Sequence, residues 1–240
     1  ATINSGANNV ILGCKAASSM TTGSQNVALG RYSLGAATNT GNHNIALGCA
    51  AGACVTSGSN GVFIGQYAGK CIVTGDHNVF LGSQAGIAQT DSTCNIAIGY
   101  QAGCSMAKVN NIAIGNRAGA LIGCNCGTAS LGRNVFIGEA AGTGQGTATD
   151  NTATSNVGIG PDALNKLTTG SCNVGVGLAA GACLSTGSQN TFIHYFSGRY
   201  VSTGTGNLGI GRGAGAKLGA GSHNVSLGYD AGFGYCPGGT

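Results

Sequence analysis

The stretch NIAIGYQAG at residues 95–103 is followed 16 residues later by a near copy, NIAIGNRAG, at residues 111–119. The same phrase occurs thirteen times along the 240 residues, usually 17 residues after the previous copy, and it opens with Asn everywhere except at Gly61. A unit this short cannot bury its own apolar side chains and must stack on copies of itself. The period therefore predicts a solenoid.

The copies define a single repeat array over residues 1–240. Positions in each copy are counted from its first residue, which is position 0. The copies, coils 1 to 13, begin near residues 9, 26, 44, 61, 78, 95, 111, 134, 156, 173, 190, 207 and 224. Two longer steps predict inserted loops at residues 120–133 and 143–155. Turn signals rich in Gly, Ser and Thr separate the phrases. We expect an all-β fold, a parallel β-solenoid (β-roll) of about 13 coils stacked about 4.8 Å apart, without helices.

The alternation of side chains along each strand predicts which face is buried. Positions +1 and +3 are aliphatic in nearly every coil, so we expect them to share the inner face. Position +2 then points outward, yet it carries no charged residue and is Phe in four coils. Such a stripe exceeds what a soluble monomer normally exposes. We therefore predict an oligomer interface that includes Ile11, Phe63, Phe80, Phe136 and Phe192. The alternative is that small residues are merely tolerated outside and the Phe residues are scattered.

The column of first residues predicts a ladder of side-chain amides. Amides stacked at the strand spacing can bond to one another and to turn backbone, which satisfies polar groups inside a narrow coil. The predicted ladder consists of Asn9, Asn26, Asn44, Asn78, Asn95, Asn111, Asn134, Asn156, Asn173, Asn190, Asn207 and Asn224.

Phrases such as NVALG at residues 26–30 and the two copies at 95–103 and 111–119 resemble the head repeats of YadA-type trimeric autotransporter adhesins. They resemble the 17-residue repeats of phage and other viral tail fibres more closely still, and the resemblance covers practically the whole chain. It implies a homotrimeric β-prism that acts as a stiff extracellular or virion-surface fibre and binds a host-surface glycan or protein receptor. The eleven Cys depart from the usual pattern of that family. A self-polymerising structural filament subunit therefore remains an alternative.

Two features carry candidate sites. Cys54 and Cys71 both stand at position +10 of adjacent coils, which predicts a disulfide between them, although free thiols used as small apolar residues are an alternative. Insertions in solenoids emerge as loops that often bind partners. The candidate binding residues in the inserted loops are Cys124, Cys126, Arg133, Thr147, Asp150 and Thr152.

Other functions find little support in the sequence. The four His and six acidic residues form no plausible acid–base pair or zinc site, so we expect no enzyme activity, metal or cofactor. The ten Lys and Arg are scattered, which argues against nucleic-acid binding, and no apolar run is long enough to insert into a membrane. A column of Thr22, Thr40, Ser57 and Thr74 leaves ice binding as a weaker alternative.

Overall fold

A computed structural model describes residues 5–35, 38–106, 109–121, 132–146 and 151–233. The described residues form thirteen three-residue strands joined by turns, with no helix among them. The strands are β1 (Val10–Leu12), β2 (Val27–Leu29), β3 (Ile45–Leu47), β4 (Val62–Ile64), β5 (Val79–Leu81), β6 (Ile96–Ile98), β7 (Ile112–Ile114), β8 (Val135–Ile137), β9 (Val157–Ile159), β10 (Val174–Val176), β11 (Thr191–Ile193), β12 (Leu208–Ile210) and β13 (Val225–Leu227). The chain divides into two compact units, Ala1–Asn111 (unit 1) and Ile112–Thr240 (unit 2).

Within each unit, every strand pairs in parallel with the next one along the chain. Strands β1 to β6 pair in this order in unit 1, and strands β7 to β13 do so in unit 2. Equivalent positions face each other, so that Phe63 lies opposite Phe80 and Gly175 opposite Phe192. The chain is therefore an all-β parallel β-solenoid of about 13 coils, as the period of the sequence predicts.

The structure corrects the predicted orientation of the strands. Position +2 points into the coil, and the Phe63, Phe80, Phe136 and Phe192 side chains are at most 1% exposed within a single chain. The prediction that these four residues lie on an outer interface is wrong. Ile11, in the first coil, is half-buried at the same inward position. The reason is the width of the coil, because an interior already filled from the turns has room for one side chain per strand, not two.

Three columns of side chains fill that interior. Position +2 meets the small residues of position +7, such as Ala68 and Ala85, which are fully buried. The third column is position +11, which the sequence analysis did not identify. Its buried apolar members are Met20, Val55, Ile72, Met106, Leu167, Leu184, Val201 and Leu218. Together the three columns form a narrow core of stacked layers.

Large side chains at positions +2 and +8 pack against glycines at the neighbouring sites of these two columns. Where position +2 is Phe, position +8 is Gly in the left-handed region. A Cβ added at Gly142 would lie 2.2 Å from the Phe136 ring. A Cβ added at Gly175 or Gly181 of the next coil would lie 2.9 Å from the Leu164 side chain. Each of these large side chains therefore lies against glycines.

Candidate functional site

The outward positions +1 and +3 form an exposed aliphatic face in each unit. All twelve positions are Val, Ile or Leu in unit 1, and thirteen of fourteen are in unit 2, where Thr191 is the exception. Side chains within the stacks remain substantially exposed, as shown by Ile64 at 38%, Ile159 at 38% and Ile210 at 40%. Leu12 in β1 reaches 71%. A soluble protein rarely leaves a contiguous apolar surface of this extent uncovered.

The Asn column links each coil to the next through its side chains. The Asn173 Oδ1 accepts the backbone N–H of Asn190 at 3.0 Å, and the Asn173 Nδ2 donates to the Gly187 carbonyl at 2.9 Å. The Asn190 side chain repeats both bonds one coil further on, to Asn207 and Gly204. Asn173 and Asn190 are fully buried. Because these amides are used internally, the column closes the turns and presents little to a ligand.

A second polar ladder lies at position −2, which the sequence analysis treated only as turn chemistry. The Ser24 N–H donates to the Asn42 Oδ1 at 2.8 Å, and the Asn42 N–H donates to the Ser59 Oγ at 3.1 Å. In unit 2 the Ser171 N–H donates to the Ser188 Oγ at 3.0 Å. The sequence signal is that this position is a short side chain with an oxygen acceptor in most coils.

Cys54 and Cys71 are free thiols in the structure and lie in adjacent coils. Burial, followed by the neighbouring Cys71, raises the pKa of the Cys54 thiol, while the Lys70 ammonium lowers it. The disulfide between Cys54 and Cys71 stays a prediction.

The predicted binding loops fall largely outside the described residues. Cys124, Cys126, Thr147 and Asp150 lie outside them. Arg133 is exposed on the turn before β8, and Thr152 is half-buried. Thr22, Thr40, Ser57 and Thr74 are all exposed on their turns.

A groove on unit 2 was missed by the sequence analysis. It encloses about 330 Å³ and is lined by Asp162, Asn165, Lys166, Ala179, Ala182, Cys183, Arg199 and Tyr200. These residues come from positions +6, +9 and +10 of coils 9, 10 and 11. They are scattered in the sequence, and only the coil register brings them together.

An aromatic and cationic cluster continues from one edge of this groove. The Arg199 Cζ lies 4.0 Å from the Phe196 ring centroid and 5.1 Å from that of Tyr200. The Arg212 guanidinium lies over Tyr195 in the preceding coil at 5.5 Å. Its Nη1 donates to the Tyr229 hydroxyl at 2.9 Å in the following coil. The rings hold these guanidinium groups through cation–π contacts.

No cluster of three or more His, Cys, Asp or Glu within the described residues could hold a metal ion. In the same part of the chain, no helix is long and apolar enough to span a membrane. The chain matches no protein-family model, and comparisons with curated proteins and with solved structures also find no match.

Proposed function

We propose that this chain is a non-enzymatic structural and adhesive fibre segment, extracellular or on a virion surface, which assembles as a homotrimer through its aliphatic face. The observation that carries the proposal is the exposed aliphatic face, which has no charged residue in any of the thirteen strands. The likeness of the repeats to adhesin heads and tail fibres gives the same expectation. The proposed interface therefore consists of positions +1 and +3 rather than position +2.

A second copy of the chain is the occupant that fits this face best. Its side chains repeat at the strand spacing of about 4.8 Å, and a surface with the same repeat is available on every sister chain. The choice of three copies around one axis follows from the likeness of the repeats to those of homotrimeric fibres.

Covering the face would contribute favourable free energy to assembly. Full burial of a Val, Leu or Ile side chain contributes about 1.5–3 kcal/mol, and roughly a third of that remains to be gained at each outward position. The thirteen aliphatic positions of unit 2 would then supply about 7–13 kcal/mol per chain. This gain offsets the translational and rotational freedom that each chain loses on association.

End-to-end polymerisation is a second candidate, because the coils within each unit stack through parallel strand pairs, such as Gly175 opposite Phe192. The same pairing would join a coil of one chain to a coil of another, since an open strand edge is a template for another strand. Open-ended polymers in electron micrographs would distinguish this candidate from a closed trimer.

Three lysine substitutions test the lateral assembly. Val176→Lys places a charge on the aliphatic face, so it should abolish assembly while the circular dichroism spectrum of the β-solenoid is retained. Thr186→Lys, on an exposed turn, is the matched control and should assemble normally. Phe192→Lys should prevent folding, because this side chain is fully buried. Assembly of the Val176→Lys variant at wild-type affinity would overturn the proposal.

A further inference from the structure

Coil 11, which starts at Asn190, departs from the repeat more often than any other coil. At positions 0, +1, +3, +4, +7 and +8 most coils carry Asn, two aliphatic residues, Gly, Ala and Gly, in that order. Coil 11 departs from this pattern three times, at Thr191, His194 and Ser197, whereas no other coil departs from it more than twice. His194 replaces a Gly and has φ +101°, a conformation that L residues rarely adopt. Local strain of this kind concentrates at functional sites. The same coil supplies Arg199 and Tyr200 to the groove of unit 2.

The groove exists because coil 10 has small side chains where its neighbours have large ones. Ala179, Ala182 and Cys183 form the floor. The walls belong to coils 9 and 11, which are two strand spacings, or about 9–10 Å, apart. The enclosed volume of about 330 Å³ is enough for one six-membered ring with its substituents.

The two walls carry different chemistry. On the coil 11 side, the Arg199 guanidinium is held 4.0 Å from the Phe196 ring, and it forms no ion pair with a described carboxylate. Its planar edge is therefore free for a bidentate carboxylate. On the coil 9 side, the Asn165 Nδ2 donates to the Asp162 Oδ1 at 3.1 Å and to the Ala140 carbonyl at 3.0 Å. The Asp162 carboxylate is thus oriented as an acceptor in the groove that Lys166 also lines.

We propose that this groove binds an acidic saccharide, a pyranose that carries a carboxylate. Arg199 and Lys166 pair with the carboxylate, Asp162 accepts a ring hydroxyl, and the exposed Tyr200 ring packs against the C–H face of the sugar. A free inorganic anion fits less well, because it offers no hydroxyl for the Asp162 carboxylate to accept. The inference rests on the proposed function only in one respect, that the fibre binds a receptor.

Direct titration of the full chain tests the proposal. Sodium glucuronate and N-acetylneuraminate represent the two sources, a uronic acid polysaccharide and a sialylated glycan, and methyl glucoside is the neutral control. For a monosaccharide the dissociation constant should be about 1 mM for the favoured acid. The neutral sugar should bind at least tenfold more weakly, roughly the cost of one lost charged contact. Equal binding of the neutral sugar, or no binding of either acid in this range, would overturn the proposal.

Two variants and one control locate the site. Arg199→Gln should weaken binding about tenfold or more, because it removes the charged fork. Ala182→Phe should abolish binding by filling the floor, and the fold accepts a large residue there, since Phe233 occupies the same position in coil 13. Lys217→Gln removes a surface cation that does not line the groove and should bind like the wild type. Unchanged binding in both groove variants would refute the assignment.

Native mass, measured on the same samples, separates this inference from the proposed assembly. A chain that binds the acid through Arg199 but remains a monomer keeps the groove and refutes the trimer. A trimer that binds neither acid keeps the assembly and refutes the groove.

Discussion

Replacing Asn173 by Leu should destabilise the solenoid by an amount that follows from its hydrogen bonds. The substitution leaves two buried groups without these partners, the backbone N–H of Asn190 and the carbonyl of Gly187. The Asn173 side chain also bonds the Asn190 Nδ2 and the Asn156 Oδ1, and both of these groups keep a partner. The Asn190 Nδ2 still donates to the Gly204 carbonyl, and the Asn156 Oδ1 still accepts the backbone N–H of residue 173. At about 1–3 kcal/mol for each orphaned group, the expected loss is about 2–6 kcal/mol.

Asn224→Leu is the matched control, because Asn224 belongs to the last coil of the column. Its Nδ2 donates to the Asn207 Oδ1 and to the carbonyl of the exposed Ser222. After the substitution, the Asn207 Oδ1 still accepts the backbone N–H of residue 224. No buried group is orphaned, so the expected loss is below about 1 kcal/mol. Urea unfolding at a fixed chain concentration measures both values. Equal destabilisation by the two substitutions would refute the ladder as a source of stability.

Three further predictions concern the core, the strained turn and the thiols. Phe136→Ala should lower the free energy of unfolding by about 3–5 kcal/mol. Gly142→Leu alone should also destabilise, but adding it to Phe136→Ala should recover part of the loss. Urea unfolding of the three variants that shows no such recovery would contradict the proposed packing of Phe136 against Gly142. His194→Gly should raise the free energy of unfolding by about 1 kcal/mol by relieving the positive φ, and a melting temperature that falls would contradict this. Burial and Cys71 raise the pKa of Cys54, so the thiolate fraction of Cys54 is small. Iodoacetamide should therefore alkylate Cys54 more slowly than the exposed Cys94 at about pH 8. Peptide mass spectrometry that shows the reverse order would rule this out.

The sequence was sufficient to predict the repeat and the parallel solenoid, because these depend on spacing. A fixed period places equivalent residues in register whatever their size. The bonds of the Asn column follow from the same register, as Asn173 and Asn190 illustrate. The buried position +11 was not predicted, since Met20, Ile72 and Leu167 lie in turns where apolar residues do not alternate with polar ones.

The orientation of the strands could not be predicted from a three-residue strand. Alternation distinguishes two faces but does not say which is inside, and here both faces are apolar. The signal that would have helped is the pairing of large residues at positions +2 and +8 with glycines in the same two columns, because Phe136 lies against Gly142 and Leu164 against Gly175. Such compensation indicates that both positions share one confined space. The groove escaped prediction because its residues share no motif, and they meet only across three coils.

The native mass of the unmodified chain in solution tests the central claim most directly. If the aliphatic face is covered by sister chains, native mass spectrometry or light scattering should give three chains of 23.2 kDa each, with a melting temperature that rises with protein concentration. A stable, soluble single chain of 23.2 kDa, with a melting temperature independent of concentration, would contradict the account.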